Sequence, residues 1–213
     1  MAAGAMSLVL LAGHSPGQTA TNTPAASAPE ATTNQWAFYA SATAYLVPHS
    51  RDYVNPMLTA DRDWLHLEAR YNYEALDTGS TWLGYNLRAG SKLALNFTPM
   101  LGGVFGHRTG VAPGYNLLLS YGRFTLSSQG EYFFDTGDRP ESFFYTWSEF
   151  SYSPWEWLRG GIVIQRTRAY QTDFDIQRGL LVGFSYKKVD FTTYVLNPGW
   201  ADPVVQLTVG VQF

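Results

Sequence analysis

Along most of this chain apolar and polar side chains alternate, in segments longer than the strands of ordinary sheets. In Trp64 to Glu74, which reads "WLHLEARYNYE", Leu65, Leu67, Ala69, Tyr71 and Tyr73 fall on one face, and His66, Glu68, Arg70, Asn72 and Glu74 on the other. Successive residues of a strand point to opposite sides, so this segment predicts one greasy face and one charged face. Lys92 to Phe105 repeats the arrangement, setting Leu93, Leu95, Phe97, Leu101 and Phe105 against Lys92, Asn96 and Thr98. Phe124 to Asp135 does so again, with Phe124, Leu126, Tyr132 and Phe134 opposite Thr125, Ser127, Gln129 and Glu131. From Trp36 onward no window sustains the period of a helix, and no run approaches the roughly 20 apolar residues of a membrane helix.

This periodicity predicts about twelve strands of roughly nine to thirteen residues, against the five or six usual in globular sheets. They fall near 36–47, 53–61, 63–74, 80–90, 92–106, 114–122, 123–135, 142–153, 157–168, 174–187, 188–197 and 203–213. Such lengths suit strands that cross a bilayer at a tilt. The connections alternate too: "AGSK", "YGR", "SPWE" and "KKVD" are tight, whereas "RTGVAPG", "TGDRPE", "YQTD" and "NPGWAD" are longer and richer in Gly, Pro and Asp. Tight turns on one rim and longer loops on the other are the asymmetry of a closed antiparallel transmembrane β-barrel. If the leader and Phe213 lie on the same side of the membrane, the strand number is even. Counting "YVNPMLTAD", with Pro56 inside it, gives twelve; if one of the other assignments fails, the number is ten.

Composition points the same way. Charged residues make up 15% of the chain and aromatic residues 16%, against about a quarter charged in soluble domains. A wholly wet surface would need more charge than this. Net charge is −3 and the isoelectric point is near 5.7, so the basic footprint of a nucleic-acid binder is missing. The chain has no Cys, which excludes disulfides, thiolate metal sites and a lipid-modified cysteine.

The first residues, "MAAGAMSLVLLA", form a short apolar run of export-signal length that is too short to span a bilayer as a helix. Small and polar residues follow, with Ala26-Ser27-Ala28 as a processing site. No Lys or Arg precedes the run, which departs from the usual signal pattern. The expected organisation is a leader at 1–28, a flexible linker at 29–35 and a barrel at 36–213.

The segment "VVQLTVGVQF" sets Val205, Leu207, Val209, Val211 and Phe213 on one face and ends on an aromatic residue. It resembles the C-terminal signal of bacterial outer-membrane β-barrel proteins, and the chain from Trp36 onward resembles that family in architecture. The resemblance implies that Phe213 is read by the barrel-assembly machinery and that the last strand closes the barrel against the first. It also implies residence among outer-membrane lipids and lipopolysaccharide. Trp36, Tyr39, Tyr71, Tyr73, Trp82, Tyr121, Tyr132, Tyr152, Trp155, Trp157 and Trp200 fall mainly near predicted strand ends, where aromatic rings favour the headgroup level.

The polar faces define the candidate site. They carry His66, Glu68, Arg70, Arg88, Lys92, Glu131, Glu149, Arg159, Asp175 and Asp190. A barrel of this size holds a narrow channel or is filled by its own side chains. The expected role is passive passage of small polar solutes, with Glu68, Arg70, Arg88, Glu131, Glu149 and Arg159 lining the pore. The alternative is a plugged barrel in which the same charges pair with one another, serving a structural or adhesive role through loops such as "NPGWADP".

Enzymatic readings find little support. A serine hydrolase needs a base beside the nucleophile, and on a strand a Ser two residues from a His would share its face. None of His14, His49, His66 and His107 has a Ser at that spacing. His66 and Glu68 do share a face, as an acid–base pair, a fragment of a metal site or a salt bridge. No nucleotide-binding loop is present, so no cofactor and no metal is expected. The glycines of "MLGGVFGHRTG" fit a kinked strand better than a phosphate cradle. Arg166 and Arg168, in "IQRTR", fall near an outer rim, where water solvates them or lipopolysaccharide phosphates pair with them.

Overall fold

A strand with one apolar and one polar face, and no partner domain to cover either, has a stable solution in a sheet that curls until its edges meet. A computed structural model describes residues 35–49, 51–137, 141–169, 175–199 and 203–213. The leader, nearly all of the linker and Trp200 lie outside the described residues. The strands are β1 (Ala37–Leu46), β2 (Tyr53–Arg62), β3 (Leu65–Tyr71), β4 (Thr78–Tyr85), β5 (Leu87–Ala89), β6 (Leu93–Gly106) and β7 (Gly110–Tyr121). They continue as β8 (Phe124–Asp135), β9 (Phe143–Trp155), β10 (Leu158–Ala169), β11 (Asp175–Tyr186), β12 (Val189–Leu196) and β13 (Val204–Gln212). Consecutive strands pair antiparallel except β4 and β5, which both pair with β6, and β1 pairs with β13, so the sheet closes on itself.

β4 and β5 are two halves of one crossing, which makes the barrel twelve-stranded. Their register against β6 runs straight through the gap, from Gly84 opposite Met100 to Leu87 opposite Phe97. That register sets Pro99 opposite Tyr85, and Pro has no N–H to give the ladder. Pro56 is accommodated differently. It lies in β2 opposite Ala42, one residue past the last β2–β3 pair, Met57 with Arg70. Beyond that point the Asn72 side-chain amide bonds to the Val54 carbonyl at 2.9 Å in place of a ladder bond. The proline-bearing segment is therefore a strand, and the count is twelve rather than ten.

Two-residue turns at 63–64, 122–123, 156–157 and 187–188 form one rim, with 90–92 beside them. Asp63, Gly90, Gly122 and Lys187 take positive φ there, the conformation that lets a tight turn follow the twist of its strands. At the other rim β1 leads towards β2, β3 to β4 through 72–77, β6 to β7 through 107–109, β8 towards β9, β10 towards β11 and β12 towards β13. The "RTGVAPG" segment is less of a loop than its composition predicts, because β7 begins at Gly110 and only 107–109 connect it to β6. Loop composition there reflects a Gly- and Pro-containing strand.

The outer surface is apolar. Leu83, Leu101, Phe105, Val111, Ile162, Leu180, Phe184 and Phe191 are all exposed, which only a hydrocarbon surround makes favourable on this scale. Aromatic rings gather at the tight-turn rim: Trp36 stacks on Phe38 and Phe38 on Phe213, Trp64 on Tyr85, and Trp155 on Trp157. Tyr71, Tyr121, Tyr132 and Tyr152 also face outward. Three rings expected in this belt are inside instead: Tyr39, Tyr73 and Trp82 are buried. Tyr39 and Trp82 lie on inward positions of their strands, and β3 ends before Tyr73 is reached. Asn72 turns the backbone at φ 60°, so the alternation of β3 does not extend to Tyr73.

The chain end is held on β1. The Phe38 N–H donates to the Phe213 carbonyl at 3.1 Å and the Phe213 N–H to the Phe38 carbonyl at 3.0 Å.

Candidate functional site

Inward-facing residues fill the lumen from opposite walls. Arg70 projects into it from β3 and is buried there. Its guanidinium lies between two rings, 4.1 Å from the Tyr73 centroid and 4.3 Å from that of Trp82. Its Nε donates to Glu68, and its Nη1 to Glu131 Oε2 at 2.9 Å. The wall between β3 and β8 is formed by β4 with β5, β6 and β7, so the bond to Glu131 spans the lumen instead of following a ladder. The Arg70, Glu68 and Glu131 side chains are 1%, 0% and 2% exposed, so the bridge is almost wholly buried. The Asn116 amide of β7 reaches Glu68 at 3.5 Å from a third direction.

Room for this arrangement comes from glycine. Gly102 on β6 sits opposite Trp82 of β4, and a Cβ there would come within 2.5 Å of the indole. The glycine run predicts a kinked strand; what it provides is a flat bed for the ring that carries Arg70 on its other face. Gly183 of β11 does the same opposite Arg159 of β10.

His66 has both ring nitrogens engaged, with Asp61 at 2.8 Å and Glu68 at 3.2 Å. Held by two carboxylates, this imidazole extends the Arg70 network. Asn86, in the gap between β4 and β5, donates to Asp61 at 2.7 Å and accepts from Thr98 at 2.7 Å. Among the described residues no group of three or more His, Asp or Glu side chains is arranged to hold a metal ion.

The opposite wall, from β9 to β13, is built from rings and amides. Glu149 of β9 accepts from Trp147 at 2.7 Å and from Tyr194 of β12 at 2.8 Å, while Arg159 lies 4.0 Å from Glu149 and bonds to Thr192. Trp147 packs edge-on against Tyr194. Together with Tyr73, Tyr145, Val163, Leu181, Leu196 and Val204 they form a buried apolar cluster inside the barrel. Nearer the tight-turn rim the Tyr39 hydroxyl donates to Asp190 at 3.1 Å. Gln129 of β8 donates to the Tyr73 hydroxyl at 2.6 Å, and the two walls meet where Tyr73 packs edge-on against Tyr145 of β9.

Of the pore-lining residues expected from sequence, Glu68, Arg70, Glu131, Glu149 and Arg159 point inward and are buried. Arg88 is apart from them: it is exposed, opposite Asn96 near the 90–92 turn. The side chain of Asp175 lies outside the described residues. Alternation alone missed Tyr73 as an inward residue, and also the apolar lumen residues Trp147, Val163 and Leu181. The signal for Trp147 was present: it shares a face with Glu149 at a spacing of two. Above the network, Arg108 in the 107–109 connection bonds to Asp135 at 2.9 Å and to Glu141. Burial lowers the Arg108 pKa, but these carboxylates outweigh it and raise it above its ordinary value, so the clamp stays charged.

No family model and no curated protein matches the chain. Solved structures do match its fold. The KdgM porin aligns with a TM-score of 0.56 at 10% identity, over 82% of this chain and 99% of its own. The fold is shared with the KdgM porin. The same KdgM porin in complex with disordered oligogalacturonate aligns with a TM-score of 0.55 at 10% identity, over 82% and 99% of the two chains. A loop-deletion form of OmpT, an outer membrane protein of Vibrio cholerae, aligns at a TM-score of 0.40 and 7% identity, over 84% of this chain and 98% of that one.

Proposed function

We propose that this chain is a porin-type barrel of the bacterial outer membrane that is shut at rest and passes small polar solutes when the bonds spanning its lumen part. The observation that carries the reading is the Arg70–Glu131 bridge, which crosses the lumen from β3 to β8 and is almost wholly buried. A lumen closed by two or three side-chain bonds opens by rotamer changes, without moving a strand. The oligogalacturonate held by KdgM is a chain of carboxylates, and the acidic side chains gathered around Arg70 argue against the same cargo here. Phe213, stacked on Phe38 at the tight-turn rim, is the assembly signal in this reading, and Arg166, exposed on β10 towards the loop rim, is a contact for lipopolysaccharide phosphates.

A second reading, a permanently sealed structural barrel, draws on the apolar cluster around Trp147 and Tyr194, which fills its part of the lumen by packing alone. Planar-bilayer recording separates the two. The pore reading expects rare, small conductance steps from refolded wild-type protein, and frequent, larger ones from Glu131→Ala. Steady, wide conductance of the wild type would show that the lumen is not shut. Silence from both proteins would leave the sealed barrel.

A further inference from the structure

We infer that this lumen selects small cations, with the carboxylates of Glu74 and Glu131 as the point where a cation is held in passage. The inference rests on the pore reading and adds the charge class of the solute.

The first support is a charge imbalance. Among the described residues the buried charged side chains include five carboxylates, Glu68, Glu74, Glu131, Asp135 and Glu149, against the two guanidiniums of Arg70 and Arg159. Counting His66 and the Arg108 that pairs with Asp135 as charged still leaves five against four. The imbalance is local as well. Around Arg70 stand three carboxylates, and its two bonds go to Glu68 and to one oxygen of Glu131. One positive charge is thus divided between two negative ones before Glu74 is counted.

The second support is the state of the oxygens left over. Glu74 reaches the site from the connection between β3 and β4, and it is 3% exposed. It lies within electrostatic reach of Arg70 and Glu131. Ser80 interacts with it, yet neither Glu74 oxygen has a hydrogen-bond partner of normal geometry, and Oε1 of Glu131 has none either. In the ionised form every one of these atoms is an acceptor. Buried carboxylate oxygens without donors are costly, and the cost is relieved by a cation or by a donor-bearing ligand, not by an anion. The carboxylates do not form a chelating cluster, so the site suits a monovalent ion or small ammonium in transit and not a tightly bound metal.

The test is the reversal potential of the refolded full-length protein in a tenfold KCl gradient. A water-excluded acidic lumen enriches its counter-ion on the order of tenfold or more, and the wild type is expected to favour potassium over chloride on that scale. The double variant Glu74→Gln/Glu131→Gln, first shown by its heat-dependent gel mobility to be a folded barrel, is expected to bring the ratio close to one. Should the double variant not fold, liposomes bearing the wild type decide the matter: tetramethylammonium is expected to enter faster than methanesulfonate. A chloride preference, an unchanged ratio in the folded double variant, or faster methanesulfonate entry would overturn the inference and leave the pore standing. Absence of any conductance from wild type and double variant alike, with no uptake of either ion, would overturn both.

Discussion

The two walls of the lumen are closed by different chemistry. On the β3 side, Arg70, Glu68, Glu131 and His66 meet through charged bonds, with Tyr73 and Trp82 as bedding. On the β9–β13 side, Trp147, Tyr194, Val163 and Leu181 fill space, and one carboxylate, Glu149, collects the ring donors. The contrast shows two ways of satisfying the same requirement. A barrel of this width must put something in its centre, and polar groups there must find partners because water is excluded. The charged wall is strong while complete and fragile when any member is removed. The apolar wall degrades in proportion to the volume lost.

Removal of Arg70 should expose this difference most sharply. Arg70→Ala leaves Glu68, Glu74 and Glu131 facing one another without a cation, and a buried pair broken on one side costs about 4 kcal/mol. Urea unfolding followed by tryptophan fluorescence in detergent should show that loss. A cost below about 1 kcal/mol would mean that water already reaches the bridge. Trp147→Ala, in the other wall, should cost about 3 kcal/mol through the cavity it leaves. It should raise conductance without altering ion preference, since no charge changes. Glu149→Gln is the mildest of the three. It keeps an acceptor for Trp147 and Tyr194 and loses only a distant Arg159 partner, so its cost should be about 1 kcal/mol. A cost equal to that of Arg70→Ala would erase the distinction between the walls.

Most of the barrel was legible in the chain, and the reasons are local. Outward and inward solvents differ at every strand, so alternation marks strands such as Leu93–Gly106 and Phe124–Asp135 within one or two residues of their ends. Legibility stopped where that solvent contrast stopped. Tyr73 looks outward by spacing because nothing in "YNYE" announces that Asn72 will take a left-handed turn. Trp147 and Leu181 carry apolar side chains on inward positions, where the lumen of this barrel behaves as a small core. The charged residues of the site were identifiable one by one, since Glu68, Arg70 and Glu131 sit on polar faces. Their meeting was not, because it depends on which strands lie opposite one another across the ring, and spacing along a strand carries no record of that.

The reciprocal bonds between Phe38 and Phe213 have a consequence for how the barrel comes into being. The ladder from Tyr39 opposite Gln212 to Leu46 opposite Val205 joins residues more than 150 positions apart, and until it forms both margins of the sheet remain sticky templates for other chains. Assembly is therefore decided at its final step. A chain stopped short of β13 has no weaker version of the finished object, only an open ribbon with two unsatisfied borders.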